Sequence, residues 1–409
     1  MKTLLRDTCV QRLLVANITG SIGSGVTLIA VPWLLIHRPH GEELFGWATL
    51  ATTLVLFLFM PYYGAWLDRH SRKTMLLASE LFGLAATATL AVSAVVAGRV
   101  DTWQLVTAYF CGMLYYTLHY PAKHAFIQQV FAPHQYQSLM GLLEIQGQAA
   151  MMIAGGLGSV LVERVPLAAI LLFDAGTYLF SFLVQSTLPY RATHLENPAS
   201  QPPAQVWQSV AEGWRWLRDR PRISAFFACT FIPFILVMVG NYLFPIYVAD
   251  VLHQTADVFG RGEIVFAFGA MTAGAVVPLL ATRRGAEQTI LFTMLLCVAS
   301  VTLLVSIPTR LAFYAALLLF GFGNAGTRVA RSTLLFCVVP QQMMGRVSMF
   351  YGLFDRVLRT ALTFVMTLIV THASARWGYA VMLVFMVAAL AGTLLSRETT
   401  RSPLAAAAT

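Results

Sequence analysis

The sequence predicts an all-α membrane protein, with twelve transmembrane helices forming two pseudo-symmetric six-helix bundles. Of its 409 residues, 58% are hydrophobic and only 11% are charged, whereas about a quarter of an ordinary soluble protein is charged. Such a chain has too little polar surface to cover a water-soluble fold. We therefore take the bilayer as its solvent.

Apolar runs long enough to cross a bilayer recur along the whole chain. A helix needs roughly 20 apolar residues to span about 30 Å of hydrocarbon. Such runs occupy residues 12–36, 44–66, 74–98, 103–128, 137–162, 166–188, 223–248, 260–281, 289–307, 311–335, 347–371 and 378–396. The sequence shows no period-two alternation of the kind expected for a membrane β-barrel. The first run is too long for a secretory signal, so we expect it to be retained as a helix.

A polar interruption divides the twelve runs into six and six. We predict an N-terminal bundle at 1–188, a cytoplasmic linker at 189–222, a C-terminal bundle at 223–396 and a tail at 397–409. The linker ends in an amphipathic stretch of tryptophans and arginines, which is typical of a membrane surface. A short internal repeat supports the division, because "VFAPHQYQSLMG" around Pro133 resembles "CVVPQQMMGRVS" around Pro340. Parallel repeats are typical of transporters that work by alternating access.

The formal net charge of +9 gives an orientation signal rather than a sign of nucleic-acid binding. Of the 27 lysines and arginines, five lie well inside the predicted spans. Six lie in loops or at span ends on the side opposite the N-terminus, namely Arg38, Arg99, Arg164, Arg261, Arg310 and Arg376. The other sixteen lie on the N-terminal side, so both termini are expected to be cytoplasmic. The five cysteines are scattered and indicate neither disulfides nor a metal site.

A charged stretch, "GAWLDRHSRK", lies between the second and third runs. It resembles the loop G-x-x-x-D-R-x-G-R-K of the major facilitator superfamily, and five positions match: Gly64, Asp68, Arg69, Arg72 and Lys73. Ser71 replaces the second glycine, which makes the turn less permissive. The resemblance implies a conformational latch between the two halves. From the residues alone, the alternative is a positive-inside loop that happens to contain an aspartate.

Further phrases resemble one branch of this superfamily. "SIGSGVTLIAVPWLL", "YPAKHAFIQQV" and "MGRVSMFYGLF" are similar to phrases of macrolide-efflux proteins and of the enterobactin exporter. The resemblance implies a secondary-active exporter of the bacterial inner membrane, usually a monomer. "GQAAMMIAGG" resembles an antiporter motif and keeps Gly147, Gly155 and Gly156, but Met151 and Met152 replace its central Gly-Pro. These glycines equally suit close helix packing.

Charged residues inside the predicted spans are functional candidates, because a charge in hydrocarbon is costly. The cations are Lys123, Arg328, Arg331, Arg356 and Arg359, and the acids at comparable depth are Glu144 and Asp355. Similar depths suggest Lys123–Glu144 and Arg328–Asp355 pairs, which could be purely structural. The remaining arginines favour an anionic substrate, because guanidinium groups bind carboxylates well.

In the superfamily, the first, fourth, seventh and tenth helices line a central cavity, which implies a set of substrate-binding residues here. The set consists of Asn17, Ser21, Tyr116, His119, Tyr120, Lys123, Asn241, Asn324, Arg328, Arg331 and, from the eleventh helix, Arg359. Helical spacing places Asn324, Arg328 and Arg331 on one face. We expect Glu144 and Asp355 to carry protons, with His119 as a further titratable group. Glu80 and Asp174 are expected to lie outside the cavity.

The sequence therefore predicts a transporter rather than an enzyme. It has no Walker loop and no metal-ligand spacing, and we expect no cofactor or nucleic-acid partner. The preferred function is export of a small anionic or zwitterionic metabolite, with a carboxylate siderophore as the sharpest hypothesis and protons as the coupling ion. A broad-specificity drug exporter, a lysophospholipid flippase and a non-transporting membrane receptor are the alternatives. The sequence does not fix the direction of transport.

Overall fold

All elements of the described chain are helices. The computed structural model describes residues 7–131, 133–190, 203–339 and 341–397. Its helices are α1 Thr8–Ile36, α2 Gly41–Arg69, α3 Arg72–Ala97, α4 Thr102–Val130, α5 Pro133–Arg164, α6 Leu167–Ser186, α7 Pro203–Arg218, α8 Pro221–Ile246, α9 Ala256–Arg284, α10 Ala286–Ser306, α11 Arg310–Val338, α12 Gln341–His372 and α13 Ala375–Ser396. A π-helical turn, Tyr247–Val251, continues α8. Apart from the short α7, these helices correspond to the twelve predicted spans, so the predicted fold class is confirmed.

Several helices begin at a residue whose side chain satisfies a free backbone N–H. The Asp7 carboxylate accepts from the Cys9 N–H at 2.8 Å before α1. The Ser71 hydroxyl accepts from the Thr74 N–H at 3.3 Å before α3. Ser71 has φ −57°, so the backbone conformation here needs no glycine. The departure from the family loop pattern therefore supplies a helix cap instead of a flexible turn.

Nine helical segments within the described residues are long and apolar enough to cross a membrane, by length and composition. The long helices α4, α11 and α12 are absent from that set. They carry the predicted charged residues of the membrane interior, including Lys123, Arg331 and Arg359. These charged side chains lower the hydropathy of α4, α11 and α12. The same side chains are the functional candidates. The chain is a multi-pass membrane protein.

The helices divide into two compact units. The first combines residues up to Pro203 with Ala256–Ile264, and the second combines Ala204–Thr255 with the residues from Val265 onwards. The first unit thus holds α1 to α6 and the start of α9, and the second holds the remaining helices. The predicted linker lies partly outside the described residues, and the predicted domain boundaries stay predictions.

In the first unit, α1 lies against α4, α5 and α6, and α3 lies against α4 and α6. Gly23 permits the close approach of α1 to α6. A Cβ atom at this position would overlap the Thr177 hydroxyl and would lie 2.8 Å from the Asp174 carboxylate. The glycine therefore brings the α1 backbone against a polar face of α6.

In the second unit, the amphipathic helix α7 packs against the start of α12. Glu212 forms an ion pair with Arg346 at 2.9 Å, and a Cβ atom on Gly213 would overlap the Arg346 carbonyl. The rings of Trp214 and Phe350 stack with centroids 5.2 Å apart. These contacts fix α7 to its own unit, while its location on the cytoplasmic membrane surface stays a prediction.

Replacing Gly23 by alanine should destabilise the protein, because the added methyl group overpacks the α1–α6 contact. We expect a loss of about 1–3 kcal/mol of unfolding free energy, seen as a lower midpoint in thermal unfolding of detergent-purified protein followed by circular dichroism. The matched control is Gly176→Ala in α6, where a Cβ atom meets nothing within 4 Å. That control should be neutral or stabilising by up to about 1 kcal/mol. Equal midpoints for the two variants would contradict the close approach.

Candidate functional site

A polar cavity in the first unit gathers many of the predicted binding residues. Its walls come from α1, α3 and α4, and the cavity has a volume of about 30 Å³. The predicted residues that line it are Asn17, Ser21, Tyr116, His119, Tyr120 and Lys123. Six side chains chosen from the sequence therefore share one cavity.

Glu80 lies in the wall of the same cavity, so the expectation that it lies outside is wrong. Its side chain is 1% exposed. Its carboxylate accepts a hydrogen bond from the Gln185 amide at 2.8 Å and lies 3.4 Å from the Tyr115 hydroxyl, which donates. It also lies 3.3 Å from Nδ1 of His119. Glu80 thus connects α3 with α4 and α6.

A second neighbour, Ser79, determines which ring nitrogen of His119 carries the hydrogen. The Ser79 hydroxyl donates to the Leu76 carbonyl at 2.6 Å and lies 3.2 Å from His119 Nδ1. Because the hydroxyl hydrogen is used in the first bond, Ser79 accepts from His119, and Nδ1 carries the hydrogen. His119 therefore presents an N–H to both Ser79 and Glu80.

Asn17 is the least satisfied side chain of this cavity. It is 3% exposed, yet neither its amide oxygen nor its amide nitrogen has a hydrogen-bond partner among the described residues. A buried polar group without a partner costs about 1–3 kcal/mol. Asn17 therefore presents a donor and an acceptor to whatever occupies the cavity. By contrast, Tyr116 contacts the Ser24 hydroxyl at 3.0 Å, and the Lys123 ammonium lies 5.3 Å from the ring centre of Tyr120.

Asp174 lies in a neighbouring pocket of the first unit, together with Thr27 and Tyr178. It is 1% exposed, and the Thr27 hydroxyl donates to its carboxylate at 2.7 Å. The rings of Tyr115 and Tyr178 contact one another, with centroids 4.6 Å apart. Asp174 therefore joins α1 to α6 and stays outside the cavity that contains Glu80.

The second unit contributes a buried guanidinium. Arg331 on α11 is 7% exposed. It donates to the Thr230 carbonyl at 2.9 Å and lies 3.6 Å from the ring centre of Phe231. No carboxylate of the described residues lies within ion-pair distance of it. Its described contacts are one carbonyl and an aromatic face, so most of the five N–H donors of the Arg331 guanidinium are available to another acceptor.

Asp355 forms its ion pair with Arg359, one turn further along α12. The expected Arg328–Asp355 pair stays a prediction, because a pair between side chains four residues apart on one helix does not exclude a second cation. The other Asp355 oxygen, Nε of Arg359 and the amide oxygen of Asn324 are buried and have no hydrogen-bond partner among the described residues. Of the other candidates, Arg328 is partly exposed and Asn241 is exposed.

Two cations of the predicted latch bind the carbonyl ends of neighbouring helices. The Arg72 guanidinium donates to the Ala125 carbonyl at 2.9 Å. The Lys73 ammonium donates to the Ser186 and Leu188 carbonyls at 2.6 and 2.7 Å. A cation at a helix C-terminus is favoured by the helix dipole. The side chains of Gly64, Asp68 and Arg69 lie outside the described residues, so the latch itself stays a prediction.

Two further acids, Glu144 and Glu263, lie within the predicted spans. The Glu144 side chain lies outside the described residues, and so does its expected pair with Lys123. Glu263 on α9 was missed, although the same rule for charges in spans applies to it. Its Cβ lies 3.4 Å from the position a Cβ would take on Gly155 of α5. In the described chain, no group of three or more His, Cys, Asp or Glu side chains could hold a metal ion.

The fold and these membrane-embedded polar clusters define a membrane transporter. The family model of the Major Facilitator Superfamily matches residues 13–361, so the chain belongs to that superfamily. This membership confirms the resemblance seen in the sequence, and it places the chain among transporters rather than enzymes.

Individual relatives are distant. The chain is 21% identical over 286 residues to macrolide efflux protein A of Streptococcus pyogenes, covering 70% of this chain and 69% of that one. It is 22% identical over 230 residues to the MFS-type transporter YfiS of Bacillus subtilis, covering 56% of this chain but only 54% of the relative. Among solved structures, an inward-facing bacterial homologue of the iron transporter ferroportin matches 95% of the chain and 98% of its own length, with a TM-score of 0.74 and 15% identity. The last likeness shows the fold alone.

Removing Arg359 should destabilise the second unit, because the Asp355 charge would stay buried without its partner. We expect Arg359→Gln to cost about 3–5 kcal/mol, measured as a lower thermal midpoint in detergent. The double variant Asp355→Asn with Arg359→Gln removes both charges and should recover most of that loss. A double variant no more stable than Arg359→Gln would contradict the pair.

Proposed function

We propose that this protein exports a small anionic or zwitterionic metabolite by alternating access across the bacterial inner membrane. The observation that carries the proposal is the buried Arg331, whose guanidinium contacts a carbonyl and a ring but no described carboxylate. A buried cation without a counter-charge is costly. A substrate carboxylate would supply that counter-charge.

The charges around Arg331 support the same substrate class. Arg328 lies on α11 with it, Arg356 and Arg359 lie on α12, and Asp355 is the acid of the same region. Four cations and one acid leave a formal surplus of +3. Because one cation is neutralised within α12 by Asp355, the remaining positive charge favours an anionic group. The most specific form of this hypothesis is that the substrate is a carboxylate siderophore.

The first unit adds a polar, aromatic-walled cavity. Lys123, Tyr116 and Tyr120 line it with Asn17, and these side chains are proposed to bind a polar group of the substrate. In the second unit, Asn241, Asn324 and the membrane arginines are proposed binding residues in their own right. Both termini are proposed to be cytoplasmic, and the protein is proposed to act as a monomer.

Proton antiport is the proposed energy source. Glu144 and Asp355 are the carriers suggested by the sequence. Asp355 has a partner on its own helix in Arg359, and the Glu144 side chain lies outside the described residues.

A broad-specificity drug exporter is the second candidate. It is favoured by the relative named macrolide efflux protein A and by Glu80, an acid in the cavity wall that suits a cationic drug. The discriminating property is the charge of the transported molecule.

Arg331→Gln should reduce transport of an anionic probe. Loss of a hydrogen bond to a charged group costs about 1.5–3 kcal/mol, which corresponds to roughly a tenfold to hundredfold loss of affinity. The measurement is counterflow of radiolabelled citrate and 2,3-dihydroxybenzoate in proteoliposomes. Arg331→Lys keeps the charge but not the planar fork and should be intermediate.

Arg99→Gln is the matched control, because the Arg99 side chain is 77% exposed and pairs with Asp101. Its counterflow should equal that of the wild type. Unchanged carboxylate counterflow in Arg331→Gln would contradict the proposed site. Transport of erythromycin or tetracycline with no transport of either carboxylate would establish the drug exporter instead.

A further inference from the structure

We propose that Arg331, Arg359 and Asp355 of the second unit bind a carboxylate whose adjacent carbon carries a hydroxyl group. The two guanidinium groups hold the substrate carboxylate, and the Asp355 carboxylate accepts a hydrogen bond from the hydroxyl group. This inference rests on the proposed function and narrows its substrate class to α-hydroxycarboxylates. Asp355 is then the residue that selects among anions.

Two aromatic rings of α8 bring the two guanidinium groups together. Phe231 and Phe234 are three residues apart, so they lie on one face of the helix. The Arg331 guanidinium lies 3.6 Å from the ring centre of Phe231, and the Arg359 guanidinium lies 5.8 Å from the ring centre of Phe234. Since α8 lies against both α11 and α12, cations from two different helices converge on this face.

The position of Arg331 is fixed by neutral groups. The rings of Tyr351 and Phe231 stack with centroids 4.8 Å apart, and the Tyr351 hydroxyl donates to the Ser224 carbonyl at 3.1 Å. Arg331 itself donates to the Thr230 carbonyl at 2.9 Å. A guanidinium that is positioned without using up its charge is preorganised for an anion.

Asp355 supplies an acceptor to the same cluster. Its side chain is buried, with 8% exposure, and it lies close enough to Arg331 for their charges to interact. One carboxylate oxygen accepts from Arg359, while the other oxygen and Nε of Arg359 have no hydrogen-bond partner among the described residues. A buried acceptor without a donor is costly. The cluster therefore calls for a ligand that brings a donor as well as an anion.

The charges of the cluster favour a hydroxyl group over an ammonium group as that donor. Arg331, Arg359 and Asp355 carry a formal charge of +1, which one substrate carboxylate neutralises. Arg328 and Arg356 add positive charge, because they interact with Arg331 and Arg359 respectively. An ammonium group would face four guanidinium groups and one carboxylate, and like charges repel strongly in a low-dielectric site. A hydroxyl group donates without adding charge.

The test compares citrate with tricarballylate, which has the same three carboxyl groups but lacks the hydroxyl group. Purified wild-type protein in detergent, free of divalent cations, is titrated calorimetrically with each acid at a pH where all carboxyl groups are ionised. We expect citrate to bind roughly tenfold to hundredfold more tightly, because tricarballylate leaves the buried Asp355 oxygen without a donor. Malate and succinate form a second pair, and malate should bind more tightly.

The variants assign the preference to one side chain. Asp355→Ala should bind citrate and tricarballylate about equally, whereas Arg331→Gln should weaken both acids by the same factor and keep the preference for citrate. Asp355→Asn keeps the side-chain shape but replaces a charged acceptor by a neutral amide, so its preference should be intermediate. This second variant keeps the test informative should Asp355→Ala fail to fold.

Asp257→Asn is the matched control, because Asp257 pairs with Arg261 at the same four-residue spacing on α9 but is 38% exposed. It should retain the wild-type preference for citrate. A full wild-type preference in either Asp355 variant would overturn the proposal.

The same acids separate this inference from the proposed function. Equal binding of citrate and tricarballylate by the wild type, with Arg331-dependent counterflow of citrate, would overturn the hydroxyl site and leave anion export standing. An Asp355-dependent preference for citrate without counterflow of either acid would support the site while contradicting export. Binding of neither acid would contradict both proposals.

Discussion

A carboxylate inside a lipid-embedded helix must take its hydrogen bonds from the protein, because hydrocarbon offers none. Glu80 meets this constraint by drawing donors from two other helices, Tyr115 and His119 on α4 and Gln185 on α6. The packing of α3 against α4 and α6 is therefore specified by polar contacts as well as by shape. Rotating any of these helices would leave a buried charge without its donors, so the network fixes the orientation of the cavity wall.

The second unit meets the same constraint differently. Asp355 and Arg359 satisfy one another along a single helix, so their pairing depends on helical periodicity rather than on tertiary packing. Arg331 depends on a carbonyl and a ring of α8. Among the described contacts, Arg331 thus keeps guanidinium donors unused, whereas the Glu80 carboxylate of the first unit takes donors from two other helices. The buried cation of the second unit is therefore less fully satisfied than the buried acid of the first.

The sequence was informative where a property depends on spacing along one helix. It predicted the twelve helices and the shared face of Tyr116, His119 and Lys123, because length and period determine both. Depth alone did not point to Arg359 as a partner of Asp355, since depth ignores the neighbour one turn away. The sequence placed Glu80 outside the cavity, because its burial depends on how α3 is rotated against α6, and no local pattern records that rotation. Glu263 is an acid at the edge of a predicted span and was not included among the candidates.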